Sequence, residues 1–93
     1  VTTDSGSQSQ GGGMVELKVR LTYPAQLVNQ PLIYHLIQKF DLYTNIIEAQ
    51  VTPSEGRLIV LLRGSPHSMH AGLEWISGEG VHVERLGEPT EVE

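Results

Sequence analysis

Two strand-forming runs joined by a short turn constrain the fold of this chain most strongly. The first run, Thr44 to Val51, is rich in β-branched residues, and the second run covers Leu58 to Leu62. The segment between them, Pro53 to Gly56, combines proline, serine and glycine, which favour turns. This pattern predicts a β-hairpin between Phe40 and Gly64.

The two predicted hairpin strands carry apolar residues on both faces. Alternation along the first strand places Ile47, Ala49 and Val51 on one face and Ile46, Glu48 and Gln50 on the other. In the second strand the same rule separates Leu58, Val60 and Leu62 from Ile59, Leu61 and Arg63. Because Ile59 and Leu61 would lie together on an outer sheet face, they indicate a contact with a partner.

Two further strands are predicted outside the hairpin. Residues 14–23 alternate strictly between apolar and polar side chains, and residues 81–85 repeat the pattern over a shorter length. The apolar positions are Val15, Leu17, Val19, Leu21, Val81 and Val83. Each of these strands should therefore have one face in the core.

Apolar residues at helical spacing predict a helix on either side of the hairpin. In the first helix Pro31 suits the first helical position, with Asn29 or Gln30 as the cap. The second helix should begin with Ser65 as the cap and end at Gly78. The apolar stripes are Leu32, Ile33, Leu36, Ile37 and Phe40 in the first helix and Met69, Gly72, Leu73 and Ile76 in the second.

The predicted order of elements is β-α-β-β-α-β. Two helices on one face of a four-stranded antiparallel sheet form an α+β sandwich of the ferredoxin-like type. Right-handed crossover connections would place the first and third strands in the centre of the sheet. The second and fourth strands would then form its edges.

Composition divides the chain into three parts. Residues 1–13 are almost free of apolar side chains, so we expect a disordered arm rich in Gly, Ser and Gln. Residues 14–86 should form the folded domain, and residues 87–93 an acidic tail. The predicted domain contains seven acidic and six basic residues, so most of the formal net charge of −5 comes from the two ends.

This charge balance and composition argue against several classes of function. A nearly neutral domain without aromatic residues in Val15 to Leu21 or in Leu58 to Leu62 gives no support for binding nucleic acid or an anionic membrane. The chain has no cysteine, which excludes disulfides, iron–sulfur clusters and thiolate metal sites. No apolar run is long enough for a membrane span, and we therefore expect a soluble cytoplasmic protein without direct membrane insertion.

The sequence contains no obvious cluster of reactive side chains. His67 and His70 lie three residues apart but lack a nearby third metal ligand. Glu48 and Glu84 are expected on opposite edges of the sheet, too far apart to act together as general acid and base. We therefore predict no catalytic residues, no metal site, no cofactor and no enzymatic activity.

Several short motifs together resemble the NIL domain family, over Val15 to Leu86. They are the helix after Pro31, Asn45-Ile46-Ile47-x-Ala49-Gln50, Gly56-x-Leu58, Gly72-Leu73-x-Trp75-Ile76 and Gly80-Val81-x-Val83. That family is best known at the C-terminus of the ATPase subunit of methionine ABC importers, and it also occurs in stand-alone and ferredoxin-fused proteins. The resemblance implies a ferredoxin-like, ACT-like regulatory domain that forms a homodimer and binds methionine or a related amino acid between two copies.

The resemblance also implies a set of ligand-binding residues. The family's ligand-contacting asparagine falls on Asn45, and Ile46, Ile59 and Leu61 are candidates for the apolar lining or for dimer packing. Without the resemblance, Asn45 is better explained as a residue that caps the turn before the second strand. The alternative function is a protein-interaction or dimerisation module that binds no small molecule.

Overall fold

The secondary-structure elements follow the predicted β-α-β-β-α-β order and add one short strand at the end. A computed structural model describes residues 13–92, so the predicted arm, apart from Gly13, lies outside the described residues. The strands are β1 (Met14–Pro24), β2 (Tyr43–Val51), β3 (Glu55–Gly64), β4 (His82–Arg85) and β5 (Thr90–Val92). The helices are α1 (Leu32–Phe40) and α2 (Pro66–Gly78), and a short 3-10 helix (Ala25–Leu27) follows β1.

The sheet is antiparallel, with strand order β2-β3-β1-β4, and β5 pairs with the beginning of β1. This order confirms that the first and third strands are central and that the hairpin supplies one edge. Both helices share a core with one face of the sheet. The predicted ferredoxin-like sandwich is therefore confirmed, and neither α-helix within residues 13–92 covers the opposite face of the sheet, which we call the uncovered face.

The core forms from alternate residues of the central strands. Val19 lies opposite Val60, and both side chains are fully buried. The buried apolar residues are Leu17, Val19, Leu21, Tyr23, Leu32, Leu36, Leu42, Val60, Leu62, Met69, Leu73, Ile76 and Val81. The strict alternation of β1 thus produces one buried face and one outer face, as predicted.

Helix α2 begins and packs as its sequence predicts. The Ser65 side chain accepts a hydrogen bond from the Ser68 N–H at 3.0 Å, and Pro66 is the first helical residue. Gly72 is buried between the helices, where a Cβ atom would lie 3.0 Å from a methyl group of Leu36 and 3.0 Å from one of Leu42. The small residue therefore allows α2 to approach α1 closely.

The helix ends differ in detail from the prediction. Pro31 is the N-cap of α1 and not its first residue, and its side chain makes no capping hydrogen bond. Helix α2 ends at Gly78, as predicted, but the residue with positive φ lies two positions later, at Gly80. Gly80 has a φ of +107°, and the N–H of the next residue, Val81, donates to the Ile76 carbonyl at 3.3 Å. This is a Schellman-type end, which requires a residue that tolerates positive φ.

A β-bulge at Ile47 changes the predicted faces of β2. Ile46 lies opposite Val60, but the next paired residue is Glu48, which lies opposite Ile59. Ile46 therefore lies on the face that the helices cover, not on the outer face with Glu48 as simple alternation predicted. In a bulge, two residues of one strand lie opposite a single residue of the partner strand. The alternation of side chains between the two faces therefore shifts by one residue across the bulge.

The C-terminal residues include a short strand that was not predicted. Within the predicted acidic tail, Thr90–Val92 form β5 and pair with Met14, Val15 and Glu16 of β1. Between β4 and β5, the Leu86 N–H donates to the Lys18 carbonyl at 2.8 Å. One long strand, β1, therefore pairs with both short strands along the same edge.

Candidate functional site

Asn45 and Leu61 line the same cleft on the uncovered face of the sheet. Asn45 lies opposite Leu61 in the ladder between β2 and β3. The cleft has a volume of about 460 Å³ and is lined by Met14, Glu16, Tyr43, Thr44, Asn45, Leu61 and Arg63. We call this the Asn45 cleft.

The Asn45 cleft is built from two rows of side chains that cross the sheet. In one row Tyr43 lies opposite Arg63, which lies opposite Glu16. In the neighbouring row Asn45 lies opposite Leu61. Since neighbouring strands lie about 4.8 Å apart, the two rows place an amide, an aliphatic side chain and two charges within reach of one small molecule.

The charged part of the cleft is an ion pair between the two central strands. The Arg63 Nη2 atom donates to Glu16 Oε2 at 2.9 Å, and both side chains retain contact with solvent. A second pair on the same face, Arg20 with Glu84 at 2.7 Å, lies outside the cleft. The Asn45 cleft therefore offers a cation and an anion side by side next to an apolar surface.

Ile59 does not lie in the Asn45 cleft. It lines a separate, more polar cleft of about 200 Å³ with Arg20, Glu48, Gln50 and Arg57. Both Ile59 and Leu61 are half-buried on the uncovered face, as the alternation of β3 predicted. Of the four predicted ligand-binding residues, the structure places Asn45 and Leu61 together and Ile59 one row further along the sheet.

Ile46, the remaining predicted residue, lies at the free edge of the sheet. Ile46 is 53% exposed although it is on the helix-covered side, because β2 is an edge strand of the sheet. Three other large apolar side chains of this edge strand are also exposed: Tyr43, Ile47 and Val51. The edge of β2 is therefore unusually apolar for a strand exposed to solvent.

Five residues of the Asn45 cleft were not predicted as site residues: Met14, Glu16, Tyr43, Thr44 and Arg63. The sequence does show that Glu16 and Arg63 face outward on their strands. Their juxtaposition depends on the register between β1 and β3, where Glu16 lies opposite Arg63. The only sign of this pair in the sequence is that two residues of opposite charge occupy outward positions on the two central strands.

The other polar residues considered in the sequence lie apart from this cleft. Glu48 and Glu84 lie on the two edge strands, three strand spacings or about 14 Å apart. His70 Nε2 lies 3.5 Å from Glu74 Oε2 on the exposed face of α2. Within residues 13–92, no three or more His, Asp or Glu side chains are grouped to hold a metal ion.

Among the described residues, Tyr23 has a pKa that is shifted clearly from its ordinary value. Burial raises the pKa of Tyr23 to about 12, because the phenolate would lose its contact with water. The hydroxyl is buried and has no hydrogen-bond partner among residues 13–92. Tyr23 borders a small apolar cleft beneath Val28 and Ile33, away from Asn45.

Neither α1 nor α2, the two α-helices within residues 13–92, is long and apolar enough to cross a membrane.

The fold places this chain among ferredoxin-like α+β domains. Comparison with known families is more specific, since the model of the NIL domain matches residues 17–85. The chain therefore belongs to the NIL domain family, which confirms the resemblance seen in its motifs.

Similar proteins and structures are consistent with this family. The Methionine import ATP-binding protein MetN of Coxiella burnetii is 30% identical over 73 residues, which cover 74% of this chain and 21% of that protein. The protein of that name from Burkholderia thailandensis is 31% identical over 72 residues, or 73% of this chain and 21% of the relative. This chain thus spans about a fifth of the length of these relatives.

Two solved structures share the fold. The C-terminal domain of an ABC transporter ATP-binding protein from Enterococcus faecalis aligns with a TM-score of 0.67 and 24% identity, covering 77% of this chain and 84% of that one. The de novo designed protein Foldit4 aligns with a TM-score of 0.56 and 15% identity, covering 86% of this chain and 99% of the design. At these identities the two structures support the fold alone.

Proposed function

We propose that this chain is a regulatory domain that binds methionine or a related amino acid between two copies of itself. The observation that carries the proposal is the position of Asn45, which lines the same cleft as Leu61 in a member of the NIL domain family. The similar importer subunits are named for methionine, which suggests the class of ligand. The domain acts in the cytoplasm and has no catalytic role of its own.

The chemistry of the Asn45 cleft suits a thioether amino acid. Leu61 and Met14 supply an apolar surface for the side chain, and sulfur makes favourable contacts with aromatic rings such as that of Tyr43. The Asn45 side chain carries both a donor and an acceptor for the polar end of the ligand. One face of the ligand would therefore be apolar and the other hydrogen-bonded.

Pairing through the edge of β2 would enclose this site. Tyr43 and Asn45 belong to the edge strand, so a second copy placed along β2 would contact the open side of the cleft. The exposed apolar residues Ile46, Ile47 and Val51 would be buried in the same contact. A ligand held by both copies binds the dimer more tightly than the single domain, and it therefore shifts the equilibrium toward the dimer. This shift would be the regulatory response of the domain.

Calorimetric titration of methionine against the wild type and Asn45→Ala tests this function. The wild type should release or absorb heat on binding, and Asn45→Ala should lose most of the affinity because its amide contacts are gone. Gln50→Ala is the matched control, since Gln50 is an exposed amide on the same strand outside the Asn45 cleft. Equal binding by Asn45→Ala and the wild type would contradict the assigned role.

The exposed apolar edge of β2 also supports a second function. A protein-interaction module could use that edge to pair with itself or with another protein without any small molecule. Under this alternative the domain would form the same dimer whether or not methionine is present. The dependence of association on methionine therefore separates the two functions.

A further inference from the structure

We infer that the Glu16–Arg63 pair makes the Asn45 cleft selective for zwitterionic α-amino acids. The inference rests on the proposed function and names the part of the ligand that the cleft recognises. It follows from the position of the pair, since both residues line the cleft that contains Asn45 and Leu61. Arg63 would bind the α-carboxylate, and Glu16 would bind the α-ammonium group.

The geometry brings the two charges and the amide to the same end of a ligand. Arg63 is two residues from Leu61 on the same face of β3, so it is a diagonal neighbour of Asn45 across the ladder. Diagonal neighbours lie about 7–8 Å apart at their backbones, a span that a carboxylate can bridge between the long side chain of Arg63 and the amide of Asn45. Glu16 lies on the far side of Arg63, at 2.9 Å from its guanidinium in the ligand-free structure.

The existing ion pair does not prevent this role. The side chains of Arg63 and Glu16 are 45% and 25% exposed, and partly exposed pairs of this kind hold together weakly. A guanidinium can bind two carboxylates through different N–H groups, because it has five donors in a planar fork. The ligand's carboxylate and ammonium groups would therefore extend the pair into a cycle of alternating charges.

Apolar residues flank the ion pair on both sides. Leu61 lies two residues before Arg63 on β3, and Met14, the first residue of β1, lies on the opposite side of the pair, two residues before Glu16. With its charged end at the ion pair, a methionine side chain would extend over one of these two apolar residues. Selectivity would thus come from two charges for the amino-acid end and from apolar contact for the thioether end.

Titration of the wild type with methionine and two truncated analogues tests the inference. Methylthiopropylamine lacks the carboxylate of methionine, and methylthiobutanoate lacks its amino group. Each analogue should bind the wild type about tenfold more weakly than methionine or worse, since each loses one charge-assisted contact. Arg63→Gln should weaken methionine binding by a similar factor and leave the binding of methylthiopropylamine unchanged.

The remaining variants complete the test. Glu16→Gln should weaken the binding of methionine but leave the binding of methylthiobutanoate unchanged. Arg20→Gln and Glu84→Gln are matched controls, because they break a similar cross-strand pair on the same face outside the cleft. If the wild type binds methionine but Arg63→Gln and Glu16→Gln behave like these controls, or either analogue binds as tightly as methionine, the inference is wrong and the proposed function stands. If the wild type binds none of the three compounds, both are wrong.

Discussion

Asn45 lies opposite Leu61 on the uncovered face of the sheet, two residues before the β-bulge at Ile47 in the edge strand β2. This relationship links the candidate ligand site to the edge strand. Since Asn45 is on the edge strand and Leu61 on its neighbour, any partner that pairs with β2 must also approach the cleft. Ligand binding and association through this edge are therefore expected to depend on each other.

Introducing a charge at the edge of β2 should reduce association without unfolding the domain. Ile46→Lys places an ammonium group at a side chain that is 53% exposed, where it should oppose edge-to-edge pairing. The free energy of unfolding of the monomer should change by only about 0.5 kcal/mol, because the position is exposed. Sedimentation and chemical denaturation measure the two effects separately.

Tyr34→Lys is the control for this edge variant. Tyr34 is similarly exposed, but it lies on α1 and not on β2. The control should associate as the wild type does. If Ile46→Lys also associates as the wild type does, β2 is not the surface through which the copies pair.

The close contact between the two helices should make Gly72 intolerant of larger residues. In Gly72→Val the new side chain would overlap the methyl groups of Leu36 and Leu42, which lie 3.0 Å from the position of a Cβ atom. Such overpacking should lower the free energy of unfolding by about 1–3 kcal/mol. Urea denaturation followed by circular dichroism provides the measurement.

The same substitution at Gly78 separates overpacking from helix propensity. In the described part of the chain, no atom beyond the helix's own backbone and the adjacent residues lies within 4 Å of a Cβ atom built at Gly78. Gly78→Val should therefore change the free energy of unfolding by no more than about 0.5 kcal/mol. An equal loss of stability in the two variants would show that helix packing is not the reason for glycine at position 72.

Tyr23 should make the domain less stable at high pH. Its pKa rises from 10.0 to about 12 on folding, so below pH 10 both the folded and the unfolded states keep the proton. Between pH 10 and 12 only the unfolded state loses it, and the free energy of unfolding should fall by up to about 1.4 kcal/mol per pH unit. Denaturation curves at several pH values in this window measure the slope.

Tyr23→Phe should remove this part of the pH dependence. It should not destabilise the domain at neutral pH, because the buried hydroxyl has no hydrogen-bond partner among residues 13–92. Tyr34→Phe, at an exposed tyrosine, should keep the slope of the wild type. A slope that is unchanged in Tyr23→Phe would mean that Tyr23 ionises normally in the folded state.

The elements that local sequence determines were predictable. The alternation of β1 and the Ser65-Pro66 start of α2 each depend on residues within a few positions, and both were confirmed. The family and the fold followed from the order of such elements. The ends of the helices were less certain, since either Gly78 or Gly80 could supply the positive φ that ends α2, and the structure uses Gly80.

Features that depend on pairing between distant residues were not predictable. Ile46 and Ile47 are both β-branched and apolar, so their sequence does not show which of them is the extra residue of the bulge. Strand β5 exists because β4 leaves the beginning of β1 unpaired, which only the register reveals. For the same reason, Glu16 and Arg63 could be recognised as a pair only once β1 was aligned with β3.

Sedimentation velocity with and without methionine tests the central proposal most directly. At a concentration where the ligand-free wild type is partly dissociated, methionine should shift it toward the dimer, and Asn45→Ala should not respond. Gln50→Ala should respond as the wild type does. An identical distribution of species with and without methionine in the wild type would contradict the proposal that the ligand binds between two copies of this domain.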